Sequence, residues 1–419
     1  MESLLLERNR KSALPLTLLI FVIELTYGIS STAYIVLMPN MIAFYHTTFT
    51  DMGSLNACWG LGSILSVLLL MVILDKLSKP KVLLVILLAF LFSMFIQGIA
   101  PPFSYMPIAN IIWGASNLAM DTVNASILAD IYKEKSNTYI NILQGIFAFG
   151  CILGPFITQF ILSLGYQWNI VYMLFTFIII ATIPFFVLIL YKNKDFIKNL
   201  KSSNQDMLNG KEISIKQFIL HKEVQLAMIV IVFLVGAQSI TQTWIVQYMS
   251  EDLHSQEIIS ASVSALFFTG LAISRFTSPI FRKHGSPIKT LSIVLFFGGI
   301  LTFGAYLCVN EYILAAGSLC LGLSIGNANP LMISHLCSIF PNQSGRATSF
   351  IFIGIGTGVV VFAYIGATAV TLLGLKYGIA LAALLISFAS IPVFRLFKIN
   401  AARKDVSLVA KTSGIDIKA

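Results

Sequence analysis

An all-α integral membrane protein, with twelve transmembrane helices in two pseudo-symmetric six-helix bundles, is the architecture this sequence predicts. Three observations carry it. Of 419 residues, 57% are hydrophobic and only 11% charged, less than half the roughly 25% of a soluble domain. Apolar runs near the ~20 residues that a bilayer core needs recur twelve times along the chain. One long polar stretch, 192–224, separates six runs from six.

The runs fall at 14–38, 54–74, 82–100, 108–131, 139–163 and 169–191, then at 225–249, 258–280, 290–309, 312–338, 346–372 and 378–397. The first lacks a small-residue cleavage site and reads as a retained span. The domains follow: 1–191 as an N-terminal bundle, 192–224 as a cytoplasmic linker, 225–400 as a C-terminal bundle and 401–419 as a cytoplasmic tail. The loops after the second and eighth spans, 75–81 and 281–289, are both short and basic. That correspondence suits an internal repeat, a common transporter construction. Within the linker, Ile213–Leu220 reads either as a short amphipathic surface helix or as solvated chain.

Lys and Arg set the orientation. With the N-terminus cytoplasmic, all but two of the 27 fall in inside segments; Lys376 lies outside and Arg275 within a span. Such a bias predicts cytoplasmic N- and C-termini in a multi-pass protein of the cell membrane. It also disposes of the nucleic-acid reading that a net charge of +9 invites, because a nucleic-acid binder gathers its basic residues on one folded face. The five cysteines sit in apolar runs without metal-ligand spacing, as small packing residues. No phosphate-cradling glycine loop is present, which argues against a built-in ATP motor. Neither a cofactor nor a metal is expected. The expected partners are a small-molecule substrate, protons and the lipid bilayer, around a monomer.

The chemistry lies in polar residues within the runs. Glu24 and Asp121 stand near mid-membrane, where a charged side chain costs roughly 2.5–3.5 kcal/mol on insertion scales. Acids kept at that cost usually serve proton or substrate traffic. Asn117, Asp121 and Asn124 occupy one stripe of the fourth span, and Gly114 beside them permits close approach of a neighbour. A carboxyl flanked by two amides, alternately dry and wet, can load a proton on one side and release it on the other. Asp121 is therefore the first candidate for proton coupling. Glu24 is the second, with Tyr27, Gly28 and Ser31 on its face. The bland alternatives are a polar clasp between helices for Asp121 and a neutral, hydrogen-bonded carboxyl for Glu24.

Further candidates line other spans. Gln238, Gln242 and Trp244 in the seventh pair amides with an indole, suited to a polyhydroxylated ligand or merely to hydrating a cavity. Asn327 and Asn329 in the tenth lie by Gly322, Gly326 and Pro330, a combination that breaks helices at transporter midplanes. Arg275 lies in the inner quarter of the eighth span, where it can snorkel to the interface or make a gating contact. Gly150, Gly154 and Pro155 in the fifth suggest a hinge or a close helix crossing. Asn141 and Gln144 share a face of that span. His335, near the inner end of the tenth, reads as a packed or interfacial histidine.

These residues resemble the major facilitator superfamily over roughly 14–400. Asp75 and Lys76 are similar to the acid and base of its loop motif between spans two and three, with Met71 and Ser78 where glycines are usual. That resemblance implies a gating role for both. Asn141 to Gly145 with Gly150-x-x-x-Gly154-Pro155, the stretch Ser274-Arg275-Phe276, and Gly322 to Pro330 resemble the fucose/glucose–galactose proton symporter group. So do an acid in span one and another in span four; Gln144 stands where some members carry His. The Gly-x-x-x-Gly-Pro element also resembles the fifth-span motif of drug–proton antiporters. The resemblance implies the major facilitator fold, no enzymatic activity, and proton-coupled symport of a small solute, a sugar or sugar-like compound, by alternating access. Two other readings stay open. One is a proton-driven drug or metabolite exporter using Tyr27, Trp59, Phe149 and Trp244. The other is a non-transporting receptor or scaffold.

Overall fold

The computed structural model describes residues 2–73, 77–132, 135–192, 214–282, 286–340 and 343–413. Asp75 and Lys76, the loop pair expected to gate, lie outside them, as does Ile213. The first half holds α1 (Glu2–Tyr45), α2 (Phe49–Ile73), α3 (Lys79–Gly98), α4 (Met106–Tyr132), α5 (Ser136–Ser163) and α6 (Trp168–Lys192). A short α7 (Ile215–Leu220) precedes α8 (Lys222–Gln247), α9 (Glu257–Arg282), α10 (Pro287–Leu307), α11 (Glu311–Ile325), α12 (Ala328–Ile339), α13 (Ser344–Leu373) and α14 (Leu375–Ser413).

Ten helices of the described residues are long and apolar enough to cross a membrane. Two expected spans are not among them, each for a physical reason. α4 has 27 residues, about 40 Å of helix, but Asn110, Asn117, Asp121 and Asn124 lower its hydropathy. The tenth span is split into α11 and α12, of 15 and 12 residues. Both are needed to return the chain to the face it started from, so the twelve-crossing architecture stands.

The tenth span breaks at Gly326 and Asn327, and Pro330 explains where. Proline has no N–H, so residue 330 cannot close the i→i−4 bond to the Gly326 carbonyl. The residue falls in the first turn of α12, where an N–H has no intrahelical partner and a proline is tolerated. The helix restarts with the Leu331 N–H donating to the Asn327 carbonyl at 3.2 Å.

Each half repeats the same pairings. In the first, α1 packs on α5, α2 on α4, and α3 on α6. In the second, α8 packs on α13, α9 on α11, and α10 on α14. The halves meet along α2 with α13 and along α5 with α9. Val85, Phe177 and Leu301 are 65%, 66% and 64% exposed on α3, α6 and α10. These outer helices turn apolar side chains to what must be lipid, because no water-facing surface carries such a belt.

α7 is capped by Ser214. The Gln217 N–H donates to the Ser214 hydroxyl and the Ser214 N–H to the Gln217 side-chain oxygen, both at 3.2 Å. Its Phe218 is buried against Phe340 and Phe350, with ring centroids 4.9 and 5.8 Å away. A helix therefore forms here, and it is docked on the second half through Phe218 instead of lying free on a surface.

Candidate functional site

α1 and α4 run antiparallel, and their polar stripes meet. The Asn124 side-chain N–H donates to Glu24 Oε2 at 2.8 Å. Glu24 is fully buried, and its Oε1 has no hydrogen-bond partner. The same register brings Tyr34 and Trp113 together further along, with ring centroids 5.5 Å apart. The stretch between the two pairs is ten residues of α1 and eleven of α4, about 15 Å by helical rise, so one register explains both.

Asp121 has a different neighbourhood. The Gln144 side-chain N–H on α5 donates to Asp121 Oδ1 at 2.7 Å. Arg275 Nη1 on α9 donates to Gln144 Oε1 at 3.3 Å, and Arg275 Nε donates to the Gly326 carbonyl, also at 3.3 Å. That carbonyl is the one Pro330 leaves free. A single file of groups thus runs from the first-half acid, through an amide and a guanidinium, to the break in the tenth span. Asp121 and Arg275 interact electrostatically across the amide. Glu24 and Asp121 are also within Coulombic reach of one another. The sequence leads one to expect Arg275 either to snorkel to the interface or to make a gating or helix-end contact; its head group turns inward between the halves, to the helix end at Gly326.

Gln238 and Asn329 line a small recess with Arg275 and Gly326, walled by Leu234, Val235, Leu271 and Ile325. Asn117 is fully buried, and neither its side-chain oxygen nor its nitrogen has a partner. Tyr27 packs on Phe147 of α5, with centroids 4.8 Å apart. Asn327 sits at the helix break without a side-chain capping bond. Of these, Gln238 and Asn329 share the recess with Arg275 and Gly326, and Asn117 is not part of its lining.

Gln242 and Trp244 lie elsewhere. Ser264 donates to Gln242 Oε1 at 3.0 Å. Trp244 is buried against Phe49 of α2, with centroids 5.3 Å apart. Nearby, the Asn56 side-chain N–H on α2 donates to the hydroxyls of Ser239 and Thr243 on α8, at 3.1 and 3.0 Å. Gln159 of α5 donates to Glu257 of α9. These contacts join the halves on the face away from the chain termini, here called the far face. Trp244 belongs to that seal and not to the recess.

Gly150 and Gly154 let α5 cross α1 closely: a Cβ at 150 would meet the Leu25 carbonyl and Gly28, and one at 154 would meet Thr32 and the Ile29 carbonyl. Pro155 lies inside the continuous α5. On the terminal face, Lys79 pairs with Asp130 at 2.6 Å. His335 is buried, with its Nδ1 3.5 Å from the Asn400 amide nitrogen.

Sequence reasoning did not single out Gln144 as a site residue, although its shared face with Asn141 was visible. It missed Asn56, Ser239, Thr243, Gln159 and Glu257, whose only signal is polarity near span ends.

The family model described as Major Facilitator Superfamily matches residues 20–309 and 227–413. Among solved structures, the chain is similar to a mutant form of the nucleoside transporter NupG, with a TM-score of 0.73 and 14% identity over 91% of this chain and 100% of that one. The structure of NupG without that mutation gives a TM-score of 0.67 and 16% identity over 91% and 99%. At such identity the likeness concerns the fold. No curated protein matches the sequence.

Proposed function

This chain belongs to the major facilitator superfamily, a family of transporters, and from that premise we propose that it is a proton-coupled symporter of a small polyhydroxylated solute, a sugar or sugar-like compound. The bundles 1–191 and 225–400 rock about the gap between them, tethered by a cytoplasmic linker at 192–224. The protein works as a monomer in the cell membrane with both termini cytoplasmic. The similarity to the fucose/glucose–galactose symporter group supports this reading. So does a solved structure of similar fold that is a nucleoside transporter, since a nucleoside contains a sugar.

The observation that carries the proposal is the unequal pairing of the two buried acids. Three ionisable groups meet at mid-membrane: Glu24, Asp121 and Arg275. A buried charge needs an opposite one. Asp121 has Arg275 across the Gln144 amide; Glu24 has only the Asn124 amide on one oxygen. One proton makes the set neutral, and Glu24 is the acid without a cation to balance it. Glu24 therefore carries the transported proton, and Asp121 serves as the counter-ion that holds Arg275. This reverses the order that flanking amides alone suggested.

Arg275 then links proton and shape. It spans from the first half to the freed carbonyl of the broken span, so separating the halves on that side must break the Gln144 contact. Gln238 and Asn329 beside it offer amide donors and acceptors for hydroxyl groups, with Tyr27 facing from the first half. The gating roles of Asp75, Lys76, Gly150, Gly154 and Pro155 belong to the same proposal. The exporter reading requires Tyr27, Trp59, Phe149 and Trp244 in one aromatic cavity; Trp244 lies against Phe49 in the seal.

The test is flux. Purified protein in liposomes with an imposed inward proton gradient should accumulate a labelled sugar or nucleoside, chosen as the compound that most raises the melting temperature in a panel. Stabilisation only by cationic drugs, with proton-driven efflux, would replace this reading with the exporter.

A further inference from the structure

The interior of the first half holds a row of buried polar atoms that nothing in the protein satisfies. It begins at Glu24 Oε1 and continues at Asn117, which uses neither its oxygen nor its nitrogen. Next come the Tyr34 hydroxyl and the Trp113 indole N–H, then the Tyr172 hydroxyl on α6, then the Trp168 indole N–H at the start of α6. Each of these side chains is at least nine-tenths buried: Glu24, Asn117 and Tyr172 at 0% exposure, Trp113 and Trp168 at 3%, Tyr34 at 6%.

The spacing is regular. Ring centroids are 5.5 Å apart for Tyr34 and Trp113, 6.4 Å for Trp113 and Tyr172, and 6.0 Å for Tyr172 and Trp168. Asn117 and Trp113 are one helical turn apart on α4, about 6 Å. The rings pack edge to face in one continuous strip, so the unpaired groups follow one another from α6 to α4 and α1. From Asn117 to the level of Asn124, which donates to Glu24, is two further turns of α4, about 10 Å, a span that takes more than one water. The row ends at Asn169, a partly exposed residue in the first turn of α6, whose amide nitrogen donates to the Gly98 carbonyl at 2.8 Å and whose oxygen is also unpaired.

Buried polar groups are nearly always hydrogen-bonded, to protein or to ordered water, and such waters make two to four bonds each. Tyr306 in the second half is as deeply buried, and its hydroxyl is bonded to Ser318 at 3.0 Å, so it serves as a bonded reference for Tyr34 and Tyr172.

We propose that this row binds a file of water that conducts protons from the far face to Glu24, inside the first half and apart from the substrate path between the halves. It rests on the proton role proposed for Glu24. A proton entering at Asn169 is accepted by a water, which donates its own proton onward; Tyr172 and Tyr34 hydroxyls relay in the same way. The Glu24 carboxylate takes the last proton as O–H. Indole N–H and amide groups orient the waters and carry no proton themselves. Around the end point stand Asn124 and Asp121 of α4, Tyr27 of α1 and Cys151 of α5, with Arg275 of α9 beyond Gln144. Such a file lets Glu24 load while the far-face seal of Asn56, Ser239 and Thr243 stays shut, so the proton needs no opening of the substrate gate.

Two measurements on the full chain test this. Brief X-ray radiolysis with mass-spectrometric readout oxidises side chains that touch bound water. Tyr34 and Tyr172 should be oxidised several-fold faster than Tyr306, and Trp113 and Trp168 faster than Trp244. Equal rates overturn the file. Infrared spectroscopy of proteoliposomes after an external acid jump follows the carboxyl C=O band, and the part absent from Glu24→Gln belongs to Glu24. Trp113→Phe with Tyr172→Phe should slow the growth of that band several-fold while leaving its final amplitude unchanged. A wild-type rate overturns the route. Tyr172→Phe alone serves if the double variant does not fold. A band that survives intact in Glu24→Gln removes the proton role of Glu24, and with it the route's end point, while the radiolysis judges the water file separately.

Discussion

Arg275 Nη1 lies 3.3 Å from Gln144 Oε1, and that amide in turn donates to Asp121 at 2.7 Å. The second half of the protein therefore senses an acid of the first through one neutral side chain. Removing charge from either end should have consequences that differ from removing it at Glu24.

Glu24→Gln should abolish proton-driven accumulation and spare exchange of solute across the membrane, since the neutral amide mimics the loaded carboxyl. Asp121→Asn should stop both, because it leaves Arg275 without a counter-charge. Accumulation and counterflow assays in liposomes distinguish them. The opposite pattern would return the proton to Asp121.

Gln144→Leu removes an acceptor from Arg275 and a donor from Asp121. Hydrogen bonds to charged groups contribute roughly 1.5–3 kcal/mol, reduced here by the partial exposure of these side chains. A lower melting temperature together with weakened transport is expected. A variant as stable and active as the parent would show that the amide bridges nothing.

Pro330→Ala restores an N–H four residues beyond Gly326, so the carbonyl that accepts from Arg275 gains a helical competitor. The tenth span should become more continuous, raising thermal stability and lowering turnover. Unchanged turnover would mean that the break is structural only.

Asn56→Cys with Thr243→Cys, placed in a background lacking the native cysteines, puts two thiols where the side chains now meet at 3.0 Å. Oxidation should block flux, and reduction should restore it. Flux that persists after complete cross-linking would show that the halves need not part there.

Much of the fold was legible because a bilayer imposes simple rules. A span must satisfy its own backbone, so it must be a helix of about 20 apolar residues, and such runs can be counted. The break in the tenth span was legible from Pro330 and its glycines, although the position of the break, one turn earlier, follows from which carbonyl loses its donor. The close crossing at Gly150 and Gly154 was legible too, because glycines four apart make a groove on one side of a helix.

The site was only partly legible. The sequence by itself determined that Glu24 and Asp121 are acids in the membrane, and that Gln238, Asn329 and Arg275 are polar at depth. It could not determine partners, because a helical stripe tells which side chains share a face and not which helix stands opposite. Only the packing of α1 on α4 joins Glu24 to Asn124. Only the packing of α5 on α9 sets Gln144 between Asp121 and Arg275, and only that of α2 on α8 draws Trp244 into the far-face seal. The charge balance that separates the two acids is a property of distances between chain-distant groups, and those distances exist only in the folded bundle.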